Sequence, residues 1–467
     1  MTNLSGANLK NGVAVGPHAE GKESPGTYPA YPTYKDSCVE WLGVVPEHWG
    51  VSPLKWLVEQ VTDKATTSDF QVGLENIEGW TGRFIETDTE FAGDGIAFRQ
   101  EDILFGKLRP YLAKVWLAGK SGQAVGDFFV LRPRAVNSEF LHKYILTPTV
   151  IEDLNASTIG AKMPRVGWED MAALAVALPP HKEQTKIARF LDHETACIDA
   201  LIEEQRRLIA LLKEKRQAVI SHAVTKGLDP TVSMKDSGVE WLGEVPMHWE
   251  VKQLKHVVDP NTSITYGIVQ AGPEFEGGIP YIRTSDMSGE ELPISGYPLT
   301  SPDIDESYAR SRVRPGDIVM SIRASVGKCL PVPDELEVAN LTQGTAKISA
   351  GRGITRNFLL AFLNAGATQN YFDLMAKGAT FKEITLDALR RTPVLLPPAD
   401  EQVKIDQFVA RHAGLLDETC KQAIQSVSLL EERRSALISA AVTGKIDVRG
   451  WRPPASVPTP KLVKEAV

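Results

Sequence analysis

Hydrophobic positions along this chain follow two rhythms, and each rhythm occurs twice. Between about residues 56 and 177, short apolar runs bounded by turn residues predict strands: DFQVGLENI, EDILFGKL, AKVWLA and DFFVLRP. Between about 256 and 395 the corresponding runs are IPYIRTSDM, GDIVMSIRA and GTAKISA. Late in each stretch, SEFLHKYILT and TRNFLLAFLNAG predict a helix. Each stretch then meets Leu-Pro-Pro, at 178–180 and 396–398, and the apolar spacing changes to alternating steps of four and three. Ile187, Leu191, Glu194, Ile198, Leu201, Gln205, Leu208, Leu212, Lys215 and Val219 predict a coiled-coil seam with three polar interruptions. The second seam is Ile405, Val409, His412, Leu416, Thr419, Ala423, Ser426, Leu430, Arg433 and Leu437, weaker in its middle, where Ile424 and Val427 offer a shifted face. Gly227 and Gly444 suit the helix exits. A helix of about 40 residues spans roughly 60 Å.

The two rhythms belong to a duplication. DSCVEWLGVVPEHWGVSPLK (36–55) returns as DSGVEWLGEVPMHWEVKQLK (236–255), with 14 of 20 positions identical. LPPHKEQTKIARFL (178–191) returns as LPPADEQVKIDQFV (396–409). The offsets are 200 and 218, so the repeated blocks are kept while the inserts between them changed length. Such a duplication imitates a two-fold dimer within one chain, and a pseudo-two-fold axis would make the two long helices antiparallel. The expected fold is therefore α+β: two mixed α/β domains separated by two long antiparallel coiled-coil helices. Its parts are an arm read as disordered or loosely docked (1–35), a first domain (36–177), a first helix (178–227), a linker with the second domain (228–395), a second helix (396–445) and a tail (446–467). Asp36 and Ser37, with Asp236 and Ser237, are expected to cap short turns. Trp41 and Trp49, with Trp241 and Trp249, are expected to act as packing anchors.

With 467 residues there is room for two or three domains. A 43% hydrophobic and 24% charged composition is that of an ordinary globular protein. No apolar run is long enough to span a bilayer, and the N-terminus does not read as a secretory signal, so the expected location is the cytoplasm. Cys38, Cys197, Cys329 and Cys420 are scattered without a CxxC pair, which argues against a zinc site or disulfide framework. Those in helices are expected to be buried thiols. The net charge of −8 argues against wholesale wrapping by nucleic acid but leaves room for local basic grooves.

Motifs for catalysis are missing. Gly119-Lys120-Ser121 lacks the earlier glycine of a phosphate loop, since Lys114 stands there, and no HExxH or GxSxG occurs. Glu20-Gly21-Lys22 is half of a nuclease motif stranded in the arm, and the carboxylate pairs Glu203-Glu204 and Glu431-Glu432 read as solvated helix charge. Basic and polar residues at strand ends are more informative. The first insert offers Lys107, Arg109, Tyr111 and Lys114, then Lys162 and Arg165 in GAKMPR. The second offers Arg310, Arg312 and Arg314, then Arg323, Ser325 and Lys328, then Thr380 and Lys382 in GATFKE. Such side chains bond phosphate oxygens or guanine edges, and Tyr can lie along sugar and base faces.

VEWLGxVPxHW openings, variable inserts and LPPxxEQxKI before a long helix together resemble the DNA-specificity (S) subunit of type I restriction–modification systems. EDILFGKLRPYLAKV and GDIVMSIRASVGK also look like target-recognition segments of that family, and the resemblance covers nearly all of 36–450. It implies a non-catalytic chain with two target-recognition domains, each reading half of a split, asymmetric site in double-stranded DNA. The helices would set the gap, so deleting one heptad should change it or abolish binding. It further implies docking of two methyltransferase subunits, for which helices 184–224 and 402–442 are the expected surface, with restriction subunits joining them. S-adenosylmethionine, Mg²⁺ and ATP would be handled by those partners, with no cofactor on this chain. The competing class is a non-catalytic coiled-coil scaffold that recruits partners without reading DNA.

Overall fold

In a computed structural model, the residues described are 28–65, 70–88, 95–158, 160, 162–378 and 382–453. The chain divides into two compact units, residues 1–202 with 428–467, and residues 203–427. Both divisions fall inside a long helix: His181–Lys226 for the first and Ala399–Val442 for the second.

In the first unit, a four-stranded antiparallel sheet has the order Val58–Val61, Phe128–Pro133, Ile103–Gly106, Val115–Leu117. Beside it in sequence, Gln71–Val72, Gly122–Ala124 and Ile96–Phe98 form a three-stranded sheet. Helices Ser138–Ile145, Pro148–Ala156 and Trp168–Ala173 follow. The second unit repeats this plan. Its four-stranded sheet orders Thr265–Tyr266, Thr345–Ser349, Asp317–Ser321, Cys329–Pro331. Its helices are Arg356–Leu363, Gly366–Met375 and Leu386–Arg390. The predicted runs DFQVGLENI and IPYIRTSDM each hold a short strand that turns into a 3-10 helix, Leu74–Asn76 and Thr284–Met287.

The repeated motifs explain themselves as a frame. After each Leu-Pro-Pro, the proline carbonyls of Pro180 and Pro398 accept from the next glutamate and glutamine amides, starting the long helices. Glu183 is buried and takes three donors: the Tyr31 hydroxyl at 2.6 Å, His48 Nε2 at 2.9 Å and Trp49 Nε1 at 3.2 Å. Glu401 accepts the same pair in the second unit, His248 at 2.7 Å and Trp249 at 3.0 Å. Gln184 and Gln402 each accept a head-helix amide, from Asn137 and Thr355 respectively, both at 2.8 Å. The HW and EQ dipeptides recur because each buried polar group needs the other as its partner. Trp49 and Trp249 are fully buried anchors. Asp36 and Asp236 accept from the amides of Cys38 and Gly238, closing the expected turns.

Three expectations are corrected. Residues 28–35 of the arm are not loose: Tyr31 is buried, Tyr28 meets Phe190 edge-on at 4.9 Å, and Tyr34–Asp36 pairs with Val44–Pro46. Residues 1–27, with Glu20-Gly21-Lys22, lie outside the described residues. The thiols in helices are not buried: Cys197 is exposed and Cys420 half-exposed, while the buried one, Cys329, sits on a strand. The helix seam is also displaced by one residue at alternate positions. Ile202, Ile209 and Arg216 are turned inward where Leu201, Leu208 and Lys215 were expected, and Cys420 and Arg434 replace Thr419 and Arg433. The same displacement recurs in both copies under the 218 offset that relates the helices.

His142 reports on the packing of helix Ser138–Ile145 against strand Val115–Leu117 in the first head. Its Nε2 faces the Val115 carbonyl at 3.2 Å, and burial, with Lys143 adding, holds its pKa down at about 4. The unfolded chain takes up this proton near pH 6.5, whereas the folded one refuses it until about pH 4. Stability therefore falls as pH drops through that window, by about 2 kcal/mol once partial exposure of the ring is allowed for. Urea unfolding across the window should show a shallower pH dependence for His142→Gln than for the parent protein; equal slopes would contradict the assignment.

Candidate nucleic-acid interface

In the first head, the hairpin between strands Ile103–Gly106 and Val115–Leu117 carries Lys107, Arg109, Tyr111 and Lys114. Its backbone passes through the left-handed region at Arg109 (φ 51°) and Ala113 (φ 47°), on either side of the 3-10 turn Pro110–Leu112. The loop carrying Lys162 and Arg165 lies against it. Leu108 bridges to Arg165, and the Arg109 amide donates to the Pro164 carbonyl at 2.8 Å. Two groups picked from distant sequence thus meet at one edge. Arg165 pairs with Asp127 at 2.8 Å, and Lys107 stands 3.8 Å from the same carboxylate. Lys114 donates to the Leu74 carbonyl at 2.5 Å. Arg109 and Lys162 are exposed, with no ion-pair partner among the described residues.

The second head repeats the juxtaposition with other side chains. The hairpin after Asp317–Ser321 is left-handed at Ala324 (φ 62°) and Gly327 (φ 95°), matching Arg109 and Ala113. Arg323 bridges to Glu383, and the Ala324 amide donates to the Lys382 carbonyl at 3.1 Å. Arg323 pairs with Glu383 at 3.0 Å, Lys382 with Asp373 at 3.4 Å, and Ser325 is exposed. Lys328 donates to the Ser288 carbonyl at 3.1 Å, as Lys114 does to Leu74. Thr380 lies outside the described residues.

Arg312 and Arg314 are not brought to this edge. They precede strand Asp317–Ser321 and Arg323 follows it, so the extended strand, rising about 3.3 Å per residue, separates them. The Arg312 guanidinium is held by Asp305 and Glu306, which keep its pKa raised, and the Arg314 amide is caught by Asp317 in the turn. Asp102 plays the same turn role in the first head, accepting from the Arg99 amide. Arg310 lies in the same 3-10 turn as Ser311.

Residues not singled out from sequence also reach the first edge. Trp80 (φ 65°) donates its amide to the Ala113 carbonyl at 3.1 Å, and its ring is 43% exposed. A Cβ on Gly79 would fall 2.3 Å from the Leu112 carbonyl oxygen, so only glycine lets these loops approach. Leu112 and Met163 add exposed apolar surface beside Tyr111. The available signal was the Gly-Trp pair at 79–80, a large aromatic placed directly after a residue without a side chain.

Among the described residues, no group of three or more His, Cys, Asp or Glu is placed to hold a metal, and no helix is long and apolar enough to cross a membrane. Two heads of one plan, each presenting a differently charged pair of loops, have the architecture of a recognition protein. The family model "Type I restriction modification DNA specificity domain" matches residues 81–210 and 246–427, about two thirds of the chain, and the protein belongs to this family. It is 25% identical over 376 residues to the type I restriction enzyme EcoBI specificity subunit of Escherichia coli, covering 78% of each chain. A putative type I restriction enzyme MjaX specificity subunit of Methanocaldococcus jannaschii is 26% identical, with 87% of this chain and 96% of that one covered. In fold, the chain resembles one solved in work on complex assembly and conformational transition of the type I R-M system, with TM-score 0.64, 20% identity, and 86% and 99% covered. The HsdS subunit from Thermoanaerobacter tengcongensis matches at TM-score 0.50 and 17% identity, covering 86% and 98%.

Proposed function

We propose that this chain is the DNA sequence-recognition subunit of a type I restriction–modification complex, with each head reading one half of a bipartite, asymmetric site. The observation that carries this is the duplicated juxtaposition: one hairpin and one late loop meet at the same edge in both heads, with different side chains. A shared frame with separately varied loops is what two unlike half-sites require. The scaffold alternative leaves those loops without a purpose, and membership of a DNA specificity family counts against it.

Within each head the cations divide by their partners. Lys114 and Lys328 brace the hairpin on a 3-10 helix, which leaves them suited to phosphate rather than base contacts. Arg109, whose guanidinium has no ion-pair partner among the described residues, is the best candidate for a bidentate guanine contact. Trp80, Tyr111 and Leu112 add apolar surface of the kind that meets a thymine methyl. In the second head Arg323 and Lys382 must leave their carboxylate partners to bind, a cost that Arg109 in the first head does not carry.

The long helices act as an antiparallel spacer, and their exposed Leu201, Leu208, Leu211, Leu415 and Leu429 offer docking surface for two methyltransferase subunits. Restriction subunits join through that assembly. The chain itself is non-catalytic; S-adenosylmethionine, Mg²⁺ and ATP belong to the partners. Arg109→Ala tests the reading. Gel shifts with the methyltransferase subunits added should show a loss of about 5- to 100-fold, on the scale of one bidentate contact, for duplexes varied at one half-site only. An equal loss on every DNA sequence would make Arg109 a phosphate contact.

A further inference from the structure

Each long helix carries one half of a repeated ion pair. In the first unit Arg434 Nε lies 2.9 Å from Asp199 Oδ1; in the second, Arg216 Nε lies 2.8 Å from Asp417 Oδ1. Both partners match under the 218 offset that relates the helices, so the node has been duplicated with the frame. The units differ in what the head adds. In the first, Arg83 Nη2 takes the other oxygen, Asp199 Oδ2, at 2.8 Å, so one carboxylate joins both helices to the head. In the second, Asp417 has no head partner among the described residues. Its node borders a cleft of about 330 Å³, and the head residue lining that cleft is the exposed Glu290, opposite Lys213 and Lys421.

Arg83 and Glu290 occupy the same loop, the one that follows the 3-10 helix of each head. In the first head this loop leads straight to the reading edge. The Arg83 carbonyl closes a turn on the Glu78 amide at 2.9 Å, that turn carries Trp80, and Trp80 is bonded to Ala113 in the hairpin of Arg109 and Tyr111. In the second head, Lys328 of the reading hairpin donates to Ser288, two residues before Glu290.

We infer that Arg83 and Asp199 are positioning residues: they clasp the first head to the helices and so fix the half-site separation the protein accepts, whereas the second head lacks this ion pair and meets the helices through neutral bonds, Gln217 to Asn364 and Gly366 to Ser221, and through Thr355 on Asp406. This rests on the bipartite-recognition reading. Asp199 presents one oxygen to the helix partner and one to the head, so the head's pose is tied to the element that sets the distance. Arg83 is half-exposed, which limits the clasp to a tuning role rather than a folding one.

The test uses the full chain with its methyltransferase subunits and duplexes carrying both half-sites, with the separation varied one base pair at a time. Arg83→Ala should reduce discrimination between the best and neighbouring separations by about two- to fivefold, the worth of an exposed ion pair, without changing base preference. Arg83→Lys should restore part of it. Glu290→Arg brings a second guanidinium to Asp417 and should sharpen the preference. An Arg83→Ala profile that superimposes on the parent, or one that changes base preference instead of separation, overturns the clasp while leaving bipartite recognition standing. A parent protein that recognises no two-part site overturns both.

Discussion

Removing one heptad from His181–Lys226 between Asp199 and Arg216, together with one from Ala399–Val442 between Asp417 and Arg434, should shorten the preferred gap between half-sites by about three base pairs. Seven residues of helix rise about 10 Å, and DNA rises about 3.4 Å per base pair. Seven residues are also nearly two full turns, so each remaining residue keeps its face and both Arg–Asp nodes can re-form. Cutting the heptad from one helix alone leaves the nodes two turns out of step, and binding to the two-part site should be lost. Gel shifts over a ladder of half-site separations read both outcomes. An unchanged gap in the doubly shortened protein would remove the spacer role of the helices.

Trp49→Ala should destabilise the first unit by about 3–5 kcal/mol, the cost of emptying a fully buried aromatic site. The ring packs with Tyr31 at 5.8 Å, and its Nε1 is one of three donors on the buried Glu183. Its loss therefore opens a cavity and also leaves that carboxylate short of a partner. Trp249→Ala should do the same in the second unit, against Phe358 and Glu401. Hydrogen exchange should place the loss of protection in the unit that carries the substitution. Unaltered protection around Glu183 in Trp49→Ala would refute the anchor role.

Much of this architecture could be read from residue order. The strands of each insert follow from short apolar runs bounded by turn residues, and the long helices after Leu-Pro-Pro from alternating four- and three-residue apolar steps. The reciprocal HW and EQ dipeptides were visible as repeats, although their bonding to each other was not, since 135 residues separate His48 from Glu183. The candidate interface was legible only in part. Arg109 and Arg165 could be chosen by type, but their meeting depends on a left-handed hairpin tip that residue type does not announce at Arg109 or Ala113. Arg312 looked equivalent to Arg323 because sequence does not say that Asp305 folds back onto it. The one-residue displacement of the seam was likewise hidden: a heptad pattern ranks apolar positions but does not say which of two adjacent residues is covered.

Mapping methylated adenines in the genome that encodes this chain, with and without the chain, tests the central claim most directly. The account predicts methylation confined to an asymmetric two-part motif whose halves are separated by one fixed number of unread base pairs, and its disappearance when the chain is absent. Methylation at a single uninterrupted motif, or a pattern that persists without the chain, would contradict it.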